Sequence, residues 1–183
     1  MREIRDLNGI SQKKSHFIFF EIVEEQDMPK LKVNIIADGD TRMISFTGSI
    51  DEEFNFLPLN QNKGKIYKFD FNELKMINSC GIREWIRFVE SLGSGVQIIY
   101  YNCPQIIVQQ FNMVAGFLTA NAKVATFYAP YFCEESDEEE AIILDATQIV
   151  NFKAPKKTTL VDGSEVELEF DAIEEQYFNF LKR

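Results

Sequence analysis

From residue 31 the chain alternates apolar runs with turn residues, and the repeat of the apolar positions switches between the strand and the helix period. Residues 32–36 and 43–46 are β-type runs separated by Ala37-Asp38-Gly39-Asp40. An Asp-Gly pair between two apolar runs predicts a hairpin, because glycine adopts the backbone twist that a tight two-residue loop demands. A turn cluster at 60–64 precedes residues 65–71, where Ile66, Phe69 and Phe71 oppose Lys65, Lys68 and Asp70 as in a strand. Past Asn78-Ser79-Cys80-Gly81 the period becomes helical. Ile82, Trp85, Ile86, Val89 and Leu92 share one face, and Arg83, Glu84, Arg87 and Glu90 the other.

Gly93-Ser94-Gly95 ends that helix, and residues 96–101 form an apolar and aromatic strand of the kind covered on both faces in parallel sheets. Asn102-Cys103-Pro104 turns the chain into a second helix predicted to reach Leu118. Strand and helix in alternation imply an α/β layer fold. The second helix carries two apolar stripes: Ile107, Phe111, Val114 and Leu118, and beside them Ile106, Met113 and Phe117. One stripe suffices to seat a helix on a sheet. The second is expected to meet either the rest of the chain, the C-terminal segment in particular, or a second copy through a seam at Ile106, Met113 and Phe117.

Downstream, residues 141–145 and 166–170 read as strands, with a hairpin-like turn at Val161-Asp162-Gly163-Ser164. A closing helix is expected behind an Asp171–Glu174 capping box, with Ile173, Tyr177 and Leu181 on one side and Lys182 and Arg183 at its end. Ahead of all this, residues 17–23 are an apolar island whose period decides nothing.

Charge narrows the partners. The net charge of -10 opposes binding to phosphate backbones and anionic lipid, so neither nucleic acid nor a membrane surface is expected. Six acids in residues 134–140 read as a solvated loop. Three scattered cysteines, Cys80, Cys103 and Cys133, behind a polar N-terminus point to the reducing cytoplasm. The apolar stretch 96–120 is broken by Asn102, Pro104, Gln105, Gln109, Gln110 and Asn112, which a bilayer core would have to desolvate.

Catalytic chemistry has little to build on. His16 is the single histidine, no phosphate-loop glycine pattern occurs, and the cysteines lack the spacing of metal ligands. No enzyme activity, metal or cofactor is expected. What stands out is the turn Asn78-Ser79-Cys80-Gly81, where free N–H groups at a helix start favour negative charge. Asn78 or Ser79 caps the helix in the simplest reading; in the sharper one, Ser79 is a phosphorylation site that gives a partner a charge to read.

The run Phe69-Asp70-Phe71, Met76-Ile77-Asn78-Ser79-Cys80-Gly81-Ile82, its helix, the strand 96–101 and Asn102-Cys103-Pro104 resemble a STAS domain, the fold of anti-sigma-factor antagonists and of the cytoplasmic tails of sulfate transporters. The resemblance covers residues 31–127. It implies a mixed β-sheet with helices packed on it, and a non-enzymatic regulatory module that binds an anti-sigma-factor, kinase-like or other protein partner. By position Ser79 matches the serine phosphorylated in the antagonist branch, while Asn78 stands where an acid is usual and Cys80 where a second hydroxyl is usual. Asn78, Ser79, Cys80, Gly81, Arg83, Glu84 and Arg87 are then the docking candidates. A homodimeric scaffold, and a STAS domain holding a nucleotide or lipid, are the alternatives. Residues 1–30 form an N-terminal arm. Residues 128–183 form a small β-rich appendage ending in a helix, in which Tyr131-Phe132-Cys133-Glu134-Glu135-Ser136 resembles a zinc ribbon without its ligands.

Overall fold

A computed structural model describes residues 30–53, 56, 59 and 63–182. The apolar island at 17–23, all of the N-terminal arm but Lys30, most of the turn cluster at 60–64, and Arg183 lie outside the described residues. The fold is α/β, with a mixed sheet, helices on it and a second, antiparallel sheet.

The predicted hairpin is formed by β1 (Lys32–Asp38) and β2 (Thr41–Ile50), paired antiparallel from Lys32↔Thr47 to Asp38↔Thr41. Gly39 turns the chain with φ 52, a backbone region that suits glycine. Then follow β3 (Ile66–Ile77), α1 (Ser79–Leu92), β4 (Gln97–Tyr101), α2 (Gln105–Met113) and β5 (Ala122–Val124). The sheet order is β1-β2-β3-β4-β5, with β2 to β5 parallel. Both helices lie on one face. Trp85 of α1 and Phe111 of α2 each meet the ring of Tyr100 on β4, and Ile44, Phe46, Tyr67, Phe69, Phe71 and Ile98 point to the same buried side.

The apolar run at 96–101 predicts cover on both faces; among the described residues, helices cover one. Ile98 and Tyr100 are buried beneath the helices, whereas Ile99 and Tyr101 on the opposite face are only half-buried. On that face the paired residues Ile36 and Met43 remain 53% and 47% exposed. Both crossover helices of the described chain pack on one side and leave the other open.

The second helix also ends earlier than its apolar period suggests. It stops at Met113, Val114 is extended, and Gly116 turns the chain at φ 85. Phe117 and Leu118 then fold back into the core, with the Phe117 ring 6.0 Å from Trp85 and 5.8 Å from Phe111. The expected seam therefore falls apart: Phe117 is buried, Ile106 is half-buried, and only Met113 stands out, at 80% exposed. The C-terminal segment covers part of α2, since Asn112 donates to the Tyr177 carbonyl at 2.9 Å and Phe180 packs on Phe111.

The second sheet has the order β7-β6-β9-β8, built from β6 (Thr126–Cys133), β7 (Glu138–Asp145), β8 (Lys157–Val161) and β9 (Ser164–Phe170). β6 fastens it to the first. Cys103 donates from its N–H to the Thr126 carbonyl, and Tyr128 donates to the Cys103 carbonyl. The boundary expected after Phe127 thus lies within a strand, and Phe111, Phe127, Phe178 and Phe180 belong to one buried cluster. The acid run is a turn only at 134–137; Glu138, Glu139 and Glu140 open β7, paired with Cys133, Phe132 and Tyr131. At the C-terminus the Asp171–Glu174 capping box does not form. Helix α3 (Glu174–Tyr177) is one turn long and starts behind Ile173, because the Glu174 carboxylate is occupied by Lys153 and the Ala154 N–H. A 3-10 turn follows at Asn179–Leu181, and the aromatics still dock, with Phe178 and Phe180 buried.

Truncating Phe117 to alanine empties a core position and is expected to cost about 3–5 kcal/mol. Met113→Ala, at an exposed helix end, should stay within about 0.5 kcal/mol of the parent. Urea unfolding of the two variants checks both; equal losses would contradict the placement of Phe117.

Candidate functional site

Strand β3 delivers the chain to α1 through a single residue, Asn78. Its backbone is extended (φ -91, ψ 176), and its Oδ1 accepts from the Gly81 N–H at 2.8 Å, satisfying one of the free donors of the first turn. The other end of the amide is used as well. Nδ2 donates to Glu52 Oε2 at 2.8 Å, and this bond holds the Glu52 carboxyl below its ordinary value of 4.5. An aspartate here could keep the cap but could not donate to Glu52. The backbone completes the joint: Asn78 N–H donates to the Ile50 carbonyl at 3.1 Å, and Ile82 N–H to the Asn78 carbonyl at 2.9 Å.

Gly81 is fixed by contact rather than by backbone angle. A Cβ there would lie 2.3 Å from the Ile50 carbonyl oxygen and 2.9 Å from Ile50 Cγ2, closer than real carbon atoms approach. The first turn of α1 therefore rests directly on the end of β2. This close approach, with the cap, sets where the neighbouring side chains emerge.

Of the docking candidates, the structure exposes Ser79, Arg83 and Arg87 and half-buries Asn78, Cys80 and Glu84, while Gly81 is buried. Ser79, Arg83 and Arg87 are spaced i, i+4, i+8, so they line up along the side of α1 that faces away from Trp85, Phe88 and Val89. Glu84 sits between the two arginines, 2.7 Å from Arg87 Nη1 and 3.4 Å from Arg83 Nε. Exposed ion pairs of this kind contribute little stability. What they provide is a defined pattern of charge beside a hydroxyl at a helix start.

The other candidate chemistry is dispersed. Cys103 and Cys133 are buried free thiols, and burial, with the charge of Asp70 second, pushes the Cys103 thiol well above its ordinary range. Among the described residues no group of three or more His, Cys, Asp or Glu is placed to hold a metal ion. His16 lies outside the described residues.

Sequence reasoning missed Ile50 and Glu52, which fix the turn from more than 25 residues away along the chain. It also missed a recess of about 440 Å3 on the open face of the sheet, bordered by Ile36, Met43, Lys68, Asp70 and Tyr101. The strand alternation of Lys68 and Asp70 against Phe69 and Phe71 was the available signal for that open face. At its edge Asp70 Oδ1 accepts from Asn102 Nδ2 at 3.0 Å, and Asn102 Oδ1 accepts from the Thr126 hydroxyl at 3.0 Å, tying the recess to the junction of the two sheets.

Gly81→Ala is expected to destabilise the chain by about 1–3 kcal/mol through overpacking against Ile50. Asn78→Ala should lose about 1 kcal/mol of capping at neutral pH. The Glu52 contribution adds to that loss only above the ordinary glutamate range, since a carboxyl whose folded pKa is lowered loses its stabilising effect as pH falls through that lowered value. The gap between Asn78→Ala and the parent should therefore narrow in acid. Thermal unfolding at pH 7 and pH 3 checks this, and a gap that widens in acid would contradict it.

No protein-family model matches the chain and no curated protein matches it, so the functional reading rests on the geometry of this turn and the residues around it.

Proposed function

We propose that this chain is a non-enzymatic, STAS-type regulatory module that docks a protein partner through the Asn78–Gly81 turn and the exposed side of α1. One observation carries the reading. Ser79 is exposed at the first position of a 14-residue helix whose start is locked by the Asn78 cap and the Gly81–Ile50 contact, and Arg83 and Arg87 continue the same line. A rigid turn costs little ordering entropy on binding, and a charged line beside it gives register. The order β3, turn, α1, β4, Asn102-Cys103-Pro104, α2 agrees with the resemblance that the motif suggested.

Phosphorylation of Ser79 is the switch that we attach to this surface. It would add about -1.5 to -2 charges at the positive end of the helix, one turn from Arg83, and so change what the partner meets. Three free thiols support a reducing cytoplasmic setting, and among the described residues no helix is long and apolar enough to cross a membrane. The homodimeric alternative loses support from the burial of Phe117. The small-ligand alternative keeps an observation of its own, the recess beside Lys68 and Asp70.

Capture of the partner from native cell extract on the immobilised chain should fall at least tenfold for Arg83→Glu/Arg87→Glu. Ser79→Asp and Ser79→Ala should differ from each other in the amount retained. Unchanged capture by the double charge reversal would contradict the docking surface, and equal capture by the two Ser79 variants would remove the switch.

A further inference from the structure

Strands β6 and β9 separate soon after they meet. Their ladder consists of Tyr131↔Phe170 and Phe132↔Glu169, and beyond Cys133 the chain turns away at 134–137 into β7. β8 occupies the other edge of β9, pairing from Val161↔Ser164 to Lys157↔Leu168. Over residues 164–168, β9 therefore has no ladder partner on its β6 side among the described residues.

A groove of about 620 Å3 borders that gap, with Tyr131, Glu134 and Glu135 on the β6 side and Ala154, Pro155, Lys156 and Glu174 beyond them. Five consecutive residues of β9, 166–170, line it. Of these, residues 166–168 belong to the unpaired edge, where backbone N–H and C=O groups point outward. Its apolar part comes from Val166 and Leu168, both buried, together with Tyr131. Its rim is acidic: Glu134 and Glu135 on the turn and Glu167 and Glu169 on β9, against the one cation Lys156, already 2.7 Å from Glu167.

These features select the occupant. A second copy would bring one acidic edge against another in a chain of net charge -10, and like charges placed opposite each other on paired strands repel. An extended segment with Lys or Arg at alternate positions fits both faces, setting apolar side chains toward Val166 and Leu168 and basic ones toward the glutamates. We propose that the free β9 edge is a docking site for such a basic, extended segment of a protein partner, which adds to the sheet as a further strand beside residues 164–168. Main-chain hydrogen bonds supply the attachment, and the alternating side chains supply selectivity. This surface is separate from the Ser79 turn and does not depend on it.

The test titrates the full chain with a labelled acetyl-Lys-Val-Lys-Val-Lys-Val-amide peptide, following fluorescence anisotropy and amide hydrogen exchange together. Saturable binding that weakens with salt and protects the amides of 164–168 that point away from β8 is expected. Affinity should drop at least tenfold for the Glu-Val analogue, for the peptide with alternate backbone nitrogens methylated, and for the chain carrying Glu134→Lys/Glu135→Lys in the exposed turn. No binding would overturn the proposal. So would binding indifferent to N-methylation, which marks plain charge adhesion, or protection confined to other residues. Concentration-dependent protection of 164–168 in the free chain would equally overturn it, by making a second copy the occupant.

Discussion

The indole of Trp85 is fully buried between the sheet and the rest of the helical layer. It lies 5.0–5.5 Å from the rings of Phe46, Phe69 and Phe71, with Phe56, Phe88, Tyr100 and Phe117 close around it. Most of these contacts are edge-on or tilted, the arrangement that the charge distribution of aromatic rings prefers. The cluster joins β2, β3, β4, α1 and the turn after α2, so the position of α1 on the sheet is set by shape as much as by apolar area. Everything proposed for the Ser79 turn follows from that seating. Gly81 lies four residues before Trp85 on the same side of α1, and its missing side chain lets the helix start rest on Ile50 while the indole fills the space below.

The proposed docking surface follows from the same constraint. Once one side of α1 is buried and its first turn is tied to β2, Ser79, Arg83 and Arg87 have one direction left, toward solvent. The cap at Asn78 spends both ends of its amide on structure, one on Gly81 and one on Glu52. That leaves Ser79, and not its neighbour, as the polar group free to meet a partner. In the second sheet the logic is reversed. There β6 is consumed by holding the two sheets together and by pairing with β7, and it ends too soon to cover β9.

Local signals were legible where one short-range rule decided the outcome. The Asp38-Gly39 turn, the two-faced pattern of α1 and the capping residue at its start could each be read within a few residues. The readings failed where distant partners intervened. Phe117 and Leu118 keep the helical period of α2, yet Val114 and Gly116 break the helix so that both can reach Trp85 and its neighbours. Asp171 and Glu174 have capping-box spacing, but Lys153 and Ala154 claim the glutamate from 20 or more residues away. The apolar run of β4 suggested cover on both sides, and the helices cover one. Glu52 and the groove beside β9 exist only through tertiary contact, and no window of the sequence contains both halves of either.

A photo-crosslinking residue at position 79 tests most directly the proposal that Ser79 faces a protein partner. In native cell extract, irradiation of the chain labelled at position 79 should give a discrete protein adduct that Arg87→Glu abolishes, while the same label at Lys123, exposed on β5, gives none. Absence of any adduct from position 79, or identical adducts from both positions, would contradict the claim.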